Sequence, residues 1–276
     1  FLFYNTGNNH EGEVRKGKGL REVWYVASAD GGATWSAPVN ITTQVHRPSQ
    51  PASNPAYNFK EDWRSYANTP GHAMQFTRGK YKGRIYVAAN HSAGNPQKRF
   101  EDYSAHGYYT DDHGKTFHLS EPLPLPGSNE ATAAELSSGK LMINARNQRG
   151  DIRARMVGIS KDGGATWSKS YIDRQLPDPI CEGSLLNIGW KRKKAVLAFC
   201  NAADTATRDN LTLRISYDEG KTWPKTYEVA KSGQSITSFA AYSDIVKIDD
   251  QRIGVLYEAD NYAGIVFTVM NIGDLF

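Results

Sequence analysis

Two cysteines, Cys181 and Cys200, are all that 276 residues contain. Neither their number nor their spacing suits a disulfide scaffold or a metal site, and they say nothing about the redox compartment. Long apolar runs are missing as well, so no transmembrane helix is encoded. Charge of one sign is not in large excess: 33 Lys and Arg stand against 29 Asp and Glu, for a net charge of +4. The densest basic cluster, Lys191-Arg192-Lys193-Lys194, lies between two apolar strands. It reads as a hairpin turn rather than a nucleic-acid interface. No window stands out with the 3.6-residue period of an amphipathic helix.

What is present points to a folded β protein. Hydrophobic residues make up 39% and charged residues 22%, which excludes disorder. Gly 25, Tyr 15 and Trp 6 favour turns and strands. The length suits one large domain or two small ones, and a single domain of this size hides about 75% of its unfolded surface. The first residue is Phe1, and Phe1-Leu2-Phe3-Tyr4 already reads as a strand in progress. The chain is therefore expected to start inside a larger domain.

One pattern occurs four times: Ser/Thr-x-Asp-x-Gly-x-Thr-Trp/Phe. The copies run from Ser28 to Trp35, Thr110 to Phe117, Ser160 to Trp167 and Ser216 to Trp223. The chemistry is that of a turn. The aspartate accepts bonds from backbone N–H groups ahead of it, and the glycine supplies a positive φ. The aromatic residue is expected to cover the turn and pack inward. Calcium binding is the rival reading, but the acidic ligands are too few.

Apolar hairpins with short polar turns fill the spaces between these boxes. They pair segments 73–76 with 84–89, 131–136 with 141–145, 184–188 with 195–199 and 243–248 with 253–257. A hairpin, a box and a further hairpin recur every 40–60 residues or so. Such repeated four-stranded units predict an all-β fold, a six-bladed β-propeller of antiparallel sheets. About five blades are present, so the ring is expected to be incomplete at its N-terminal end. Residues 1–276 then form one propeller domain lacking its first blade.

Rotation about the propeller axis gathers equivalent strand ends on one face. Glu130 and Arg146 flank one hairpin 16 positions apart, and Tyr242 and Glu258 flank another at the same separation. Glu182 and Asn201 flank a third, with Arg208 in the loop beyond. His72 and Asn90 flank a fourth. Each alone has an ordinary structural explanation; their joint placement is what carries weight. Two converging arginines suit a planar carboxylate. A substrate that is itself an anion disfavours a carboxylate nucleophile, whereas a tyrosine helped by a glutamate base avoids the repulsion.

With these residues in view, the whole chain resembles the exo-α-sialidases (neuraminidases) of bacterial and animal type. The resemblance rests on the four boxes together with Asn129-Glu130, Asn144-Ala145-Arg146-Asn147, Arg208-Asp209-Asn210-Leu211-Thr212, Ala241-Tyr242-Ser243-Asp244 and Tyr257-Glu258. It implies Tyr242 as nucleophile and Glu130 as its base partner. Arg146 and Arg208 become two members of an arginine triad that grips the sialic acid carboxylate. Glu258 orients the triad's first arginine, and His72 and Asn90 belong to segments lining the sugar pocket. Cys181-Glu182-Gly183-Ser184 is similar to the family's Cys-Gln-Gly-Ser run, with Glu182 in place of the glutamine, and no chemical role is assigned to it. The implied reaction is retaining hydrolysis of terminal sialic acids from glycoconjugates, without a metal or organic cofactor. A secreted or periplasmic location follows from the resemblance alone.

The departures concern two motifs. The family's Arg-Ile-Pro, which bears the first triad arginine, is missing, as is its acid/base aspartate before the first box. Truncation by roughly one blade accounts for both, and the chain alone is expected to be weakly active or inactive. Two rivals remain: a non-catalytic carbohydrate-binding propeller, and a box-bearing glycosidase acting on neutral glucans. The latter chemistry wants two carboxylates and no arginine clamp.

Overall fold

The computed structural model describes residues 1–50, 54–231 and 239–273. Nineteen strands among them form five antiparallel sheets in chain order. Sheet one holds β1 (Leu2–Gly7), β2 (Arg21–Val26) and β3 (Val39–Asn40); the short helix α1 (Glu11–Arg15) links β1 to β2, and α2 (Thr42–Val45) lies beside β2. Sheet two holds β4 (Trp63–Asn68), β5 (Met74–Gln75), β6 (Ile85–Ala93), β7 (Tyr103–Thr110) and β8 (His118–Leu119). Sheet three runs through β9 (Ser128–Glu135), β10 (Leu141–Asn147), β11 (Ala154–Ser160) and β12 (Lys169–Pro177). Sheet four comprises β13 (Gly183–Lys191), β14 (Lys194–Ala202), β15 (Leu211–Ser216) and β16 (Lys225–Ala230). Sheet five comprises β17 (Ala240–Lys247), β18 (Arg252–Ala259) and β19 (Gly264–Asn271). The architecture is a five-bladed β-propeller of mostly four-stranded sheets, consistent with an incomplete six-bladed ring.

Four apolar clusters cement neighbouring sheets. Val23, Tyr66 and Phe117 join sheets one and two. Tyr86, Leu123 and Ile143 join two and three. Met142, Leu185 and Phe199 join three and four, and Leu213, Ile245 and Val255 join four and five. Stacking of sheet faces is thus the main apolar force in the fold.

All four boxes have one geometry. The leading hydroxyl accepts from the glycine N–H four residues on, at 2.8–2.9 Å. The aspartate takes the threonine N–H at 2.9 Å and the threonine hydroxyl at 2.6–2.7 Å. Both carboxylate oxygens are therefore engaged by protein donors. Phe117 and Trp223 are buried as expected, and Trp167 donates its indole N–H to the Glu121 carbonyl at 2.7 Å. Trp35 departs from the pattern at 47% exposure, because no sheet among the described residues packs over the first box.

The boxes also index the strands. In sheets two, three and four the box lies between the third and fourth strands. In sheet one it lies between β2 and β3, so β1 occupies the second position, and no strand among the described residues holds the innermost place. Among the described residues sheet five has only its first three positions filled. Its apolar side chains Ile265, Phe267 and Val269 are exposed, Ile265 at 73%.

One hairpin differs from the expected boundaries. The inner strand of sheet two begins at Trp63, well before 73. It breaks after Asn68, and β5 resumes on the same edge of β6. Pro70 and Gly71 sit in the gap, and Gly71 has φ +99°, which interrupts the strand. His72 therefore lies in a mid-strand break and not at a strand start.

Candidate active site

Side chains from sheets one to five converge on a cleft of about 340 Å³. Glu130 and Arg146 enter it from sheet three. Ala131 pairs with Ala145 and Ser128 with Asn147, which leaves Asn129 and Glu130 opposite the single residue Arg146. Tyr242 arrives by a similar device. Ala240 pairs with Ala259 and Ser243 with Tyr257, so Ala241 and Tyr242 lie opposite Glu258 alone. Such bulges re-aim side chains at the ends of strands. The shared 16-residue spacing marks equivalent bulges in two sheets.

Three groups here form one closed hydrogen-bonded set. The Tyr242 hydroxyl donates to Glu130 Oε1. Arg146 Nη1 donates to Glu130 Oε2 at 2.6 Å and to the Tyr242 oxygen at 2.9 Å. Burial, and then the negative charge of Glu130, push the Tyr242 phenol above its ordinary value near 10. The resting tyrosine is thus protonated, with its proton directed at the carboxylate. Burial works against the Arg146 cation, but the Glu130 charge and bond leave its pKa raised. A phenol with a carboxylate acceptor and a fixed cation at its oxygen can lose its proton as it attacks, without building a free phenolate.

Arg208 lines the same cleft. Its Nη1 donates to the Tyr262 hydroxyl at 2.5 Å and its Nη2 to the Ile180 carbonyl at 3.3 Å, and its guanidinium carbon lies 5.4 Å from the Tyr242 ring centre. Asn90, 3% exposed, also borders the cleft, and its Nδ2 has no partner among the described residues. Two other candidates lie elsewhere. His72 is not among the lining residues; it bonds Asp244 at 2.6 Å and the Leu185 carbonyl at 3.1 Å. Glu258 lies behind the tyrosine, with Oε2 accepting the Tyr242 backbone N–H at 3.3 Å.

Sequence reasoning missed Asn5, Glu11, Arg21 and Gln148, all of which line the cleft. Glu11 accepts from the Tyr103 hydroxyl at 2.8 Å and the Ser65 hydroxyl at 3.4 Å. It sits on a five-residue helix, too short to leave a periodic signal. Arg21 opens β2 and adds a third guanidinium, whose buried Nε has no partner among the described residues. Among the described residues no three His, Cys, Asp or Glu side chains converge to hold a metal, and no helix is long and apolar enough to cross a membrane.

Residues 1–255 match the model of the BNR repeat-like domain family. The chain is 33% identical over 240 residues to a sialidase of Micromonospora viridifaciens, covering 84% of this chain and 32% of that one. It is 32% identical over 253 residues to a sialidase of Bacteroides fragilis, covering 90% of this chain and 41% of that protein. The chain thus spans well under half the length of these curated relatives. Among solved structures it resembles Hadza microbial sialidase Hz136, with a TM-score of 0.73, 29% identity and coverage of 91% of this chain and 44% of the other. A leech intramolecular trans-sialidase shares the fold at TM-score 0.70 and 21% identity, over 91% of this chain and 36% of its own.

Proposed function

We propose that this chain, which belongs to the BNR-repeat sialidase family, carries most of the active site of a retaining exo-α-sialidase acting on sialylated glycoconjugates. The observation that carries the reading is the single Arg146 nitrogen shared between Glu130 and Tyr242. Arg146 and Arg208 grip the sugar carboxylate by paired N–H donors. Tyr242 forms a bond from its oxygen to the anomeric carbon while its proton passes to Glu130. The bond from that carbon to the leaving oxygen breaks, and the leaving oxygen takes a proton from an acid. Water then attacks the anomeric carbon of the sialyl–tyrosine intermediate and gives its proton to the conjugate base of that acid, while the bond to the Tyr242 oxygen breaks and the proton on Glu130 returns to the phenolate. The released sugar keeps its configuration.

The acid and a third carboxylate-binding arginine belong, on this reading, to a further blade preceding Phe1. The empty innermost position of sheet one and the exposed apolar side chains of sheet five support such a blade. The chain by itself is then impaired in turnover. Sialosides are displayed mainly outside cells, so the protein is assigned a secreted or periplasmic location. The reading is tested with an aryl α-sialoside and the full-length protein. Magnetic resonance of the first-released sugar should show the α-anomer, and Tyr242→Phe should lose at least about a hundredfold in kcat. Full activity in that variant, or release of the β-anomer first, ends the proposal.

A second reading, a carbohydrate-binding propeller without catalysis, is favoured by one observation. Glu130 and Glu11 are the only carboxylates lining the cleft among the described residues, and both are held by hydroxyl donors. Sialoside binding by the full-length protein with no turnover would select it.

A further inference from the structure

The bulge that carries Tyr242 takes Ala241 and Tyr242 of β17 out of ladder pairing, and β17 is an edge strand, so amides here that face away from β18 need other acceptors. Two glutamates accept two of them, one in the bulge and one beside it. Glu258 Oε2 takes the Tyr242 N–H at 3.3 Å, and Glu182 Oε2 takes the Ser243 N–H at 3.0 Å. The two carboxyl groups therefore clamp consecutive amides of the nucleophile's own backbone.

Glu182 is the deeper of the two, at 1% exposure, and its Oε1 has no partner among the described residues. The charged and titratable groups that act on it are Arg155 from β11, Glu130 from β9, Asp244 from β17, Cys200 from β14 and the adjoining Cys181. Arg155, the cation among them, is committed elsewhere: to Asn144 Oδ1 at 2.7 Å, the Cys181 carbonyl at 2.5 Å and Asp178 at 3.4 Å. No cation bonds Glu182 among the described residues. An ionised carboxylate here would be buried with one amide donor and no counter-ion. Burial accordingly pushes its pKa well above the usual carboxylate range.

We propose that Glu182 is a positioning residue, whose buried carboxyl holds the Ser243 amide and so fixes the bulge that aims Tyr242 at Glu130. The proposal rests on Tyr242 being the nucleophile. A neutral acid suits this place, since it accepts the amide bond without adding a second negative charge near Glu130. When Glu182 ionises at high pH, a second carboxylate charge appears beneath the nucleophile and the clamp is disturbed.

The test compares pH profiles of kcat and KM for the full-length protein with those of Glu182→Gln, Glu182→Leu and Tyr242→Phe, using an aryl α-sialoside. Glu182→Leu should lower kcat at least about tenfold with KM little changed, as expected when a reacting group is misaimed. Glu182→Gln, which keeps an acceptor oxygen and cannot ionise, should restore most of kcat and carry activity to higher pH than the parent. A purely structural role would lower the melting temperature and leave the alkaline limb where it was. If Glu182→Gln keeps the parent's alkaline limb, or folded Glu182→Leu keeps the parent's kcat, the proposal is overturned. Should Glu182→Leu not fold, the limb in Glu182→Gln decides. An inactive Tyr242→Phe beside an unaffected Glu182 pair overturns the positioning role alone. A fully active Tyr242→Phe overturns the nucleophile reading and this proposal with it.

Discussion

His72 Nδ1 lies 2.6 Å from Asp244 Oδ1, across 172 positions of sequence. Its other ring nitrogen faces the Leu185 carbonyl at 3.1 Å. The ring thus ties the break in sheet two's inner strand to the inner strands of sheets four and five. An acceptor at each nitrogen favours the doubly protonated ring. Burial opposes that charge, but the Asp244 bond and charge prevail, and the pKa is raised. A raised folded-state pKa contributes stability fully present below the unfolded value near 6.5 and lost as pH rises through the folded value. The deficit of His72→Gln relative to the parent should therefore be largest near pH 6 and shrink toward pH 9. Urea midpoints at both pH values check this; a deficit independent of pH would contradict it.

Three other histidines set the opposite limb. His46, His91 and His106 are buried behind Tyr66, a residue of the cleft wall. Trp63 stacks on His91 at 3.5 Å, His91 and His106 meet at 3.1 Å, and His106 reaches the Tyr66 hydroxyl at 3.3 Å. Burial holds all three below the usual range, His106 at about 3; neighbouring histidines add to it at His46 and His91, and Arg47 at His46 and His106. Lowered folded-state values leave stability intact above pH 6.5, and it falls as acidification protonates the unfolded chain. The expected slope is up to about 1.4 kcal/mol per pH unit for each histidine. His46→Phe should flatten the fall in urea midpoint between pH 6.5 and 4.5.

Arg146 should tolerate even lysine poorly. One of its nitrogens serves Glu130 and Tyr242 together, which leaves the rest of the planar fork for a ligand carboxylate. Arg146→Lys should lower kcat/KM for a sialoside about a hundredfold, roughly 3 kcal/mol of transition-state stabilisation. Binding of an analogue without the carboxylate should change far less. Equal losses on both ligands would place Arg146 outside carboxylate recognition.

The boxes give a matched pair of substitutions. Gly32 and Gly164 occupy the same box position with φ +92° and +94°. A Cβ on Gly164 would stand 2.4 Å from the buried Tyr86 ring, whereas on Gly32 the nearest atom is Trp35 at 3.6 Å. Both alanine variants carry the backbone strain, of about 1 kcal/mol. Gly164→Ala adds overpacking of about 1–3 kcal/mol. Denaturant midpoints of the two should differ accordingly.

Much of this architecture is legible in the residues themselves. The boxes reveal the strand order because their turn chemistry is local, and hydroxyl, aspartate, glycine and threonine must stand at fixed offsets. Glu130, Arg146 and Tyr242 can be placed together because equivalent bulges repeat at equal spacing. His72 misleads for the opposite reason. The break after Asn68 displaces it from the strand-start position, and its partner Asp244 is distant in sequence. Glu11 and Arg21 are invisible because sheet one lacks the inner strand that would define its register, and Glu182's grip on Ser243 depends on a bulge in another sheet.

The exposed apolar side chains of sheet five supply the last test. Ile265 is 73% exposed, and it pairs with Glu258 next to the tyrosine's bulge. In this chain, Ile265→Lys removes almost no packing, so its stability should change by no more than about 0.5 kcal/mol. If a preceding blade packs on this face in the full-length protein, the same lysine becomes a buried cation whose cross-strand neighbour, Glu258, already accepts the Tyr242 amide. The cost there should exceed about 2 kcal/mol, because a charge must leave water and pull on a carboxylate committed elsewhere. Thermal unfolding of both lengths, each with and without the substitution, separates the cases. A full-length protein as tolerant as the shorter chain would leave sheet five uncovered and remove the support it lends to a further blade.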